Sequence, residues 1–428
     1  MKLNYKRTIL IGMAFMSISA FWQMYDNVVP LILSKSFDLN ETFTGAIMAA
    51  DNLLALFLLP IFGSISDRVK SPWGKRMPFI VIGTILSVIM LMILPFADNT
   101  RNLPLFIGGL FFTLICMGTY RSPAVALMPD LTPKNLRSRA NAVINLMGAV
   151  GGVFTLLMIK VLVGKETTPN YYPLAIAVAL FMIICVALLF FNIKENKLHE
   201  ELKDVLQEEV VEVKTEDTAK KSAKLPKDVM RSLVFLLASV AFWFIAYNAV
   251  TTAFSRYATT VWGLEGGGYA DCLMVATVAA IISYIPIGSI AAKIGRKKTI
   301  LIGIVLLGGC FLAASLFSTY SNIMMVFFCI IGFAWAAIGV NSYPMVVEMA
   351  SAGDVGKYTG LYYTFSMTAQ VITPILSGWL LENVGYRTLF PYSVIFCILA
   401  FITMSQVKHG DSKPEKKANA LDNLDVDD

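Results

Sequence analysis

Charged residues are scarce in this chain of 428 residues. Asp, Glu, Lys and Arg make up 15% of it, whereas 57% of its residues are hydrophobic. A soluble globular domain typically carries about 25% charged residues, so this composition indicates a protein that folds within a lipid bilayer. The net charge is only +6, and the basic residues lie in short segments, which argues against a nucleic-acid partner.

Histidine and cysteine are scarce as well. The two histidines, His199 and His409, lie in polar stretches, which excludes a histidine metal site or proton relay inside the apolar runs. The six cysteines stand singly, without the spacing of disulfides or metal ligands, and we expect them to pack as small apolar side chains. The sequence shows no nucleophile–base or metal pattern, so we expect no enzyme activity, no metal and no bound cofactor.

The apolar residues are concentrated in twelve long runs. A helix needs about 20 such residues to cross a bilayer, and the runs are much longer than the strands of a membrane barrel. The sequence therefore predicts an all-α membrane protein with twelve transmembrane helices. We place the spans at residues 8–35, 41–66, 78–97, 104–129, 139–163, 171–193, 229–258, 268–292, 299–318, 322–347, 356–383 and 387–406.

Lysine and arginine favour alternate loops. The loops after spans 2, 4 and 8 are rich in them, and the loops on the opposite side carry few. Cytoplasmic loops of membrane proteins carry an excess of these residues, so we expect a cell-membrane protein with both termini in the cytoplasm. The basic loop residues are Arg68, Lys70, Lys75, Arg76, Lys134, Arg137, Arg139, Lys293, Arg296, Lys297 and Lys298.

The chain contains an internal repeat. The segment AFWQMYDN from Ala20 corresponds to AFWFIAYN from Ala241, which places Asn27 on Asn248. Parallel six-helix halves are one of the known transporter plans. We predict an N-terminal six-helix bundle at 1–193, a charged cytoplasmic linker at 194–227 that acts as a solvated tether, a C-terminal bundle at 228–406 and a cytoplasmic tail at 407–428.

The loop after span 2 reads GSISDRVKSPWGKRMP, and the loop after span 8 carries a degenerate copy, GSIAAKIGRKK. The form and place of these loops resemble the signature of the major facilitator superfamily in both halves. The resemblance implies two bundles that rock about a central site, with these loops latching the cytoplasmic face. We expect the gate to contain Gly63, Asp67, Arg68, Arg76, Asp130, Arg139, Gly288 and Arg296.

Three further stretches narrow the resemblance: YRSPAVALMPD from Tyr120, PDLTPKNLRSRANAV from Pro129 and FWFIAYNAVTTAFSRYA from Phe242. They look like the branch of plant sucrose/proton symporters and related sugar carriers, a neighbour of the melibiose-type glycoside symporters. The resemblance implies a monomer that imports a small glycoside, disaccharide or oligosaccharide by alternating access.

Two departures from this branch bear on the coupling ion. Melibiose-type sodium symporters carry acidic residues in helix 2 just before the proline, whereas this chain has Ala55 and Leu59 ahead of Pro60. The plant symporters carry an acid midway along helix 4, where this chain has Leu114. We therefore expect coupling to protons rather than sodium, through acidic residues at other positions.

Three charges of the first half fall at bilayer depth, away from the ends of their spans: Asp26, Asp51 and Arg121. A charge at bilayer depth costs about 2.5–3.5 kcal/mol, so each one suggests a function. The two carboxylates are predicted to lie at similar depth and within reach of Arg121. We expect one carboxylate to bind the coupling proton under the control of Arg121; the alternative is a static ion pair. Arg256, near the end of span 7, is predicted to be a snorkelling anchor.

Polar and aromatic residues accompany these charges in several spans. Aromatic faces with amides suit a sugar, which stacks its C–H face and hydrogen-bonds its hydroxyls. The alternative is that buried amides hold helices together and aromatic residues form interfacial belts. The candidate substrate-binding residues are Trp22, Gln23, Asn27, Tyr120, Asn145, Trp243, Tyr247, Asn248, Asn341 and Gln370.

Two other functions compete with sugar import. The first is proton-coupled antiport that exports a drug or other amphipathic solute. The second is a membrane receptor or scaffold without transport. A scaffold has no need of repeated gating loops or charges inside spans, so both features favour a transporter.

Overall fold

The computed structural model describes residues 3–166, 168–201, 226–349 and 355–411, and these parts contain helices and turns without a β-strand. The chain divides into two units. Unit 1 comprises residues 1–208 together with Leu264–Met274, and unit 2 comprises Glu209–Gly263 and Val275–Asp428. Most of the predicted linker (202–225) and of the predicted tail (412–428) lies outside the described residues, so the predicted domain boundaries stay predictions.

Unit 1 is built from long helices joined by short loops. The first helix is extended at its end by a π-helical turn, Ile32–Ser36. The helices are α1 Tyr5–Leu31, α2 Glu41–Arg68, α3 Met77–Leu91, α4 Ile93–Asn99, α5 Leu103–Asp130, α6 Lys134–Leu162, α7 Tyr172–Asn192 and α8 Glu195–Glu201.

Unit 2 has the same plan. A 3₁₀ turn, Tyr386–Thr388, precedes its last helix. The helices are α9 Lys227–Thr260, α10 Ala270–Ile294, α11 Arg296–Ser315, α12 Ile323–Glu348, α13 Val355–Asn383 and α14 Leu389–Ser405. The first residues of α10 pack with unit 1.

Every predicted span coincides with helix in the structure, which confirms the all-α membrane fold. In the described residues, eleven helical segments are long and apolar enough to cross a membrane. The remaining predicted span, 356–383, lies in the 29-residue helix α13. It falls outside that set because its tyrosines, threonines and serines (LYYTFSMT) dilute the apolar residues.

Local sequence explains where several helices begin and break. Asn4, Asn40 and Asn102 precede α1, α2 and α5, and each side-chain oxygen accepts a hydrogen bond from the backbone N–H three residues on, at 2.9–3.1 Å. Such caps satisfy donors that a helix leaves free at its start. Predicted span 3 is interrupted at Met92 between α3 and α4, because Pro95 has no N–H to donate to the preceding turn.

Small residues let α1 and α6 approach closely in unit 1. A Cβ atom added at Gly151 of α6 would overlap the backbone carbonyl of Met16 in α1. By contrast, a Cβ atom at Gly108 of α5 would meet nothing within 4 Å. Membrane helices pack through such small residues because lipid supplies no hydrophobic drive between them.

We predict that Gly151→Ala lowers the stability of the protein by about 1–3 kcal/mol, because the added methyl group forces α1 and α6 apart. The matched control Gly108→Ala adds the same methyl group in open space and raises helix propensity, so its stability is unchanged or higher. Thermal unfolding in detergent compares the two variants. Equal melting temperatures for both would contradict this account of the α1–α6 contact.

Candidate functional site

The three predicted coupling charges lie in one unit. Asp26 is on α1, Asp51 on α2 and Arg121 on α5, and all three are partly buried in unit 1. They lie close enough to interact electrostatically. None of the ion pairs in the described part of the chain joins Arg121 to either carboxylate.

Arg121 instead lies against an aromatic ring. Its guanidinium carbon is 5.3 Å from the centre of the Trp22 ring, a cation–π contact. Trp22 also packs edge-on against Phe21 and Tyr25, at centroid distances of 5.2 and 5.3 Å. The indole Nε1–H of Trp22 is buried and has no hydrogen-bond partner among the described residues.

A small pocket in unit 1 brings several of these groups together. Trp22, Asp51 and Arg121 line it, so the pocket contains one predicted ligand and two of the coupling charges. Its apolar lining includes Ala55, Leu59 and Leu114, the positions at which the melibiose-type or plant symporters carry an acid. The complete lining is Trp22, Asp51, Leu54, Ala55, Leu58, Leu59, Leu114, Gly118 and Arg121. The charge of this pocket therefore comes from Asp51 and Arg121 alone.

Tyr25 is a residue of this region that the sequence analysis missed. Its side chain is 1% exposed, and its hydroxyl donates to the backbone carbonyl of Met48 in α2 at 3.3 Å. It interacts electrostatically with both Asp26 and Asp51. The sequence feature that could have indicated a role for Tyr25 is its position immediately before Asp26. Asn52 adds a direct partner for Asp51, because its Nδ2 donates to Oδ1 of that carboxylate at 2.8 Å.

Among the candidate substrate ligands of unit 1, Asn27 retains free bonding capacity. Its Nδ2 donates to the carbonyl of Gln23 at 2.9 Å, whereas its Oδ1 is buried without a partner in the described residues. Gln23 is partly buried and Asn145 is exposed. Tyr120 is fully buried, and its hydroxyl lies 3.4 Å from Oγ of Ser17, which joins α5 to α1.

In unit 2, Asn248 is the counterpart of Asn27, and its Nδ2 is also buried without a partner in the described residues. Tyr247 stacks on Trp335 at 3.7 Å with an interplanar angle of 8°, and the sequence analysis did not single out Trp335. The other candidates are accommodated within the unit itself. Trp243 is 1% exposed, Asn341 donates to the Ala337 carbonyl at 2.9 Å, and Gln370 donates to the Ser366 carbonyl at 3.4 Å.

The prediction that Arg256 is a snorkelling anchor is wrong. Arg256 is 2% exposed, and its Nη2 donates to the carbonyl of Thr252 at 3.3 Å. Helix α9 continues to Thr260, and the neighbouring Phe254 and Tyr257 pack in an aromatic cluster with Trp262. The side chain is therefore buried within the protein instead of extending to the interface.

The predicted cytoplasmic gate of unit 1 centres on Arg76, which is 5% exposed. Its Nε donates to Oδ2 of Asp130 at 2.9 Å, its Nη1 donates to the Gly63 carbonyl at 3.3 Å and to Ser66, and its Nη2 pairs with Asp67. The arginine thus joins the end of α2 to the end of α5. The predicted gate residue Arg68 is exposed and forms no ion pair in the parts of the chain described, and Arg139 is partly buried.

Unit 2 repeats the arginine–carboxylate pair. Arg296, at the start of α11, donates to Glu348 at the end of α12 at 2.9 Å, and Gly288 is buried in α10. The two units therefore place an arginine of the signature loop against a carboxylate at the end of a long helix. The sequence analysis named both arginines and Asp130 but not Glu348, whose role depends on a contact between α11 and α12.

A further pair of carboxylates caps these loops. Glu195, at the start of α8, is 3% exposed and accepts hydrogen bonds from the backbone N–H groups of Lys75, Arg76 and Met77 at 2.9–3.1 Å. In unit 2, Asp411 accepts from the backbone N–H of Lys297 at 2.8 Å. Glu195 lies within the predicted linker, so the start of that segment is bound to unit 1.

The sequence of this chain is similar to those of several known proteins. A sequence model described as the Major Facilitator Superfamily matches residues 11–283 and 262–423. The chain is 27% identical to sucrose transport protein SUC3 of Arabidopsis thaliana over 138 residues, which cover 28% of this chain and 23% of that protein. It is 25% identical to the lactose permease of Lactobacillus helveticus over 178 residues, covering 37% and 27% respectively. The matched regions thus span only 23% and 27% of these relatives.

Solved structures share the fold over nearly the full chain. The inward-open xylose transporter XylE from E. coli matches with a TM-score of 0.68 and 14% identity, covering 98% of both chains. A POT family transporter in complex with a thioalcohol-conjugated peptide matches with a TM-score of 0.70 and 13% identity, covering 94% of both chains. At such identities the likeness shows the fold alone.

We predict that Arg76→Gln lowers stability by about 2–3 kcal/mol. This is below the ~3–5 kcal/mol of a fully buried broken pair, because the Asp67 side chain is 57% exposed. The matched control is Arg68→Gln, which removes an exposed arginine of the same loop and leaves the melting temperature unchanged. Thermal unfolding in detergent is the measurement. A control variant as unstable as Arg76→Gln would show that loop charge alone matters, and would contradict the network.

Proposed function

The chain belongs to the major facilitator superfamily, and we propose that it is a secondary transporter that imports a small glycoside, disaccharide or oligosaccharide by proton symport. Transport would proceed by alternating access. The observation that carries the proposal is that three predicted ligands have buried polar atoms without a partner in the described residues. These atoms are Trp22 Nε1, Asn27 Oδ1 and Asn248 Nδ2.

Each of these atoms suits a hydroxyl group of a sugar. Trp22 Nε1 and Asn248 Nδ2 are donors, and Asn27 Oδ1 is an acceptor, whereas a hydroxyl group both donates and accepts. A buried polar atom without a partner costs about 1–3 kcal/mol, so a ligand that pairs with it gains specificity. The names of the sucrose and lactose relatives support the same class of substrate.

Proton coupling is supported by the charges of unit 1. Asp26 and Asp51 interact electrostatically with each other and with Arg121. Two carboxylates beside a single arginine, at membrane depth, favour the uptake of one proton because it removes the excess negative charge. Asp51 lines the pocket in which Ala55, Leu59 and Leu114 replace the acids of related symporters, so the carboxylates on α1 and α2 are the candidates for coupling.

The direct experiment is uptake into proteoliposomes. We expect sucrose or lactose to accumulate when a pH gradient, acidic outside, is imposed, and to equilibrate without accumulation when the gradient is collapsed. Exchanging sodium for potassium leaves uptake unchanged because the sodium-symporter acids are absent. Strict sodium dependence would overturn the proton coupling. Expulsion of an amphipathic cation under the same acid-outside gradient, with no sugar movement, would favour the antiport alternative.

A second prediction concerns the acids themselves. Asp26→Asn or Asp51→Asn abolishes accumulation driven by the pH gradient, because one carboxylate is held in the neutral state. Exchange of labelled for unlabelled sugar continues, because the loaded carrier still changes conformation. The control is Asp228→Asn, which removes an exposed acid at the start of α9 and retains full accumulation.

The static ion-pair alternative gives a different pattern. Removing one member then leaves a buried charge unpaired, which costs about 3–5 kcal/mol, so the single variants express poorly. Combining the Asp→Asn change with Arg121→Gln would restore both expression and accumulation. Recovery of accumulation in that double variant would refute the coupling role.

A further inference from the structure

One segment from the second half of the chain packs with unit 1. Leu264–Met274, which comprises loop residues after α9 and the first residues of α10, belongs to unit 1, whereas α9 and the rest of α10 belong to unit 2. We call Leu264–Met274 the strap. The distribution of loop charges assigns this end of unit 1 to the outer side of the membrane.

The backbone of the strap lies directly on the end of α6. Gly266 and Gly267 have φ angles of +60° and +73°, the left-handed region that favours glycine. A Cβ atom at Gly267 would lie 2.6 Å from the carbonyl oxygen of Ile159, and one at Gly266 would lie 2.6 Å from Cγ of Lys165. A side chain at Gly267 would separate the strap from α6, and one at Gly266 would push against Lys165 in the loop after α6.

An ion pair holds the same surfaces together. Lys160 Nζ on α6 lies 2.8 Å from Oδ1 of Asp271 in the strap, with the two side chains 48% and 27% exposed. A partly exposed pair of this kind is modest in energy and readily broken. It therefore suits a contact that must open and close in each transport cycle.

The strap also contacts the backbone of the candidate substrate site. Tyr269 is 1% exposed, and its hydroxyl donates to the backbone carbonyl of Asn27 at 3.5 Å. Asn27 is the residue whose side-chain Oδ1 is unpaired, and it follows the candidate coupling residue Asp26. This hydrogen bond thus links the strap to this part of α1.

We propose that Tyr269 is a positioning residue of the substrate site, carried by a strap that closes the outer end of unit 1. With the strap on α6, Tyr269 fixes the backbone at Asn27 and so orients its side chain toward substrate. When the Lys160–Asp271 pair separates, the strap leaves α6 and this support is lost. The proposal rests on the proposed sugar transport only for the role of Asn27.

The alkylation rate of Cys272 can report opening of the strap, because this cysteine is 0% exposed. A variant that keeps Cys272 and replaces the other five cysteines with alanine is treated with N-ethylmaleimide in membranes, without substrate. We expect Lys160→Gln and Asp271→Asn each to speed alkylation about two- to fivefold, because a weakened pair raises the population of the open strap. The charge exchange Lys160→Asp with Asp271→Lys returns the rate toward that of the parent.

The matched control is Glu265→Gln, which removes an exposed acid of the same strap that forms no ion pair in the described residues. Its alkylation rate stays at that of the parent. Equal rates for the parent, Lys160→Gln and Asp271→Asn would overturn the strap. If the variant that keeps only Cys272 is unstable, the hydrogen-exchange rates of residues 264–274 are compared between the unaltered protein, Lys160→Gln and Asp271→Asn. Faster exchange in both variants supports the strap, and equal rates overturn it.

Tyr269→Phe tests the positioning role. We expect the KM for sucrose or lactose to rise about fivefold, as for the loss of one hydrogen bond, with the maximal rate largely retained. A purely structural tyrosine would instead lower the melting temperature and leave KM unchanged, and that result would overturn the positioning role. If the unaltered protein takes up neither sugar, the proposed function fails, whereas the Cys272 rates still decide whether the strap opens.

Discussion

Three charges inside the membrane-spanning helices of unit 1 impose the constraint on which the rest of the structure depends. Each would cost about 2.5–3.5 kcal/mol at bilayer depth, so the surrounding side chains must compensate for the loss of water. Arg121 lies over the ring of Trp22, Asp51 accepts a hydrogen bond from Asn52, and Tyr25 interacts with both carboxylates. None of the ion pairs in the described part of the chain joins the arginine to either acid, so the arginine is held mainly against the aromatic ring.

The two signature loops also depend on paired charges. Each unit places an arginine of its signature loop against a carboxylate at the end of a long helix, Asp130 in unit 1 and Glu348 in unit 2. A second carboxylate from the segment after the bundle, Glu195 or Asp411, accepts backbone hydrogen bonds of that loop. Each loop is thereby fixed within its own unit.

Hydropathy predicted the long helices of the described residues, because a helix that crosses a bilayer needs a long apolar run. It did not predict the short helix α8, which lies in the predicted linker. Symmetry within the sequence singled out Asn27 and Asn248, and both retain a buried polar atom without a partner in the described residues. The contacts of Tyr25, Trp335 and Glu195 could not be predicted, since they depend on which helices touch and at what height. Arg256 was misplaced for the same reason: sequence position suggested the interface, whereas tertiary packing encloses the side chain.

The central claim of the proposed function is that sugar and proton cross the membrane together. The most direct measurement follows the external pH of a weakly buffered suspension of de-energised proteoliposomes when sucrose or lactose is added. The account predicts that the medium becomes more alkaline as sugar enters with its proton, and that Asp51→Asn abolishes this change. Sugar entry without any movement of protons in the unaltered protein would contradict it.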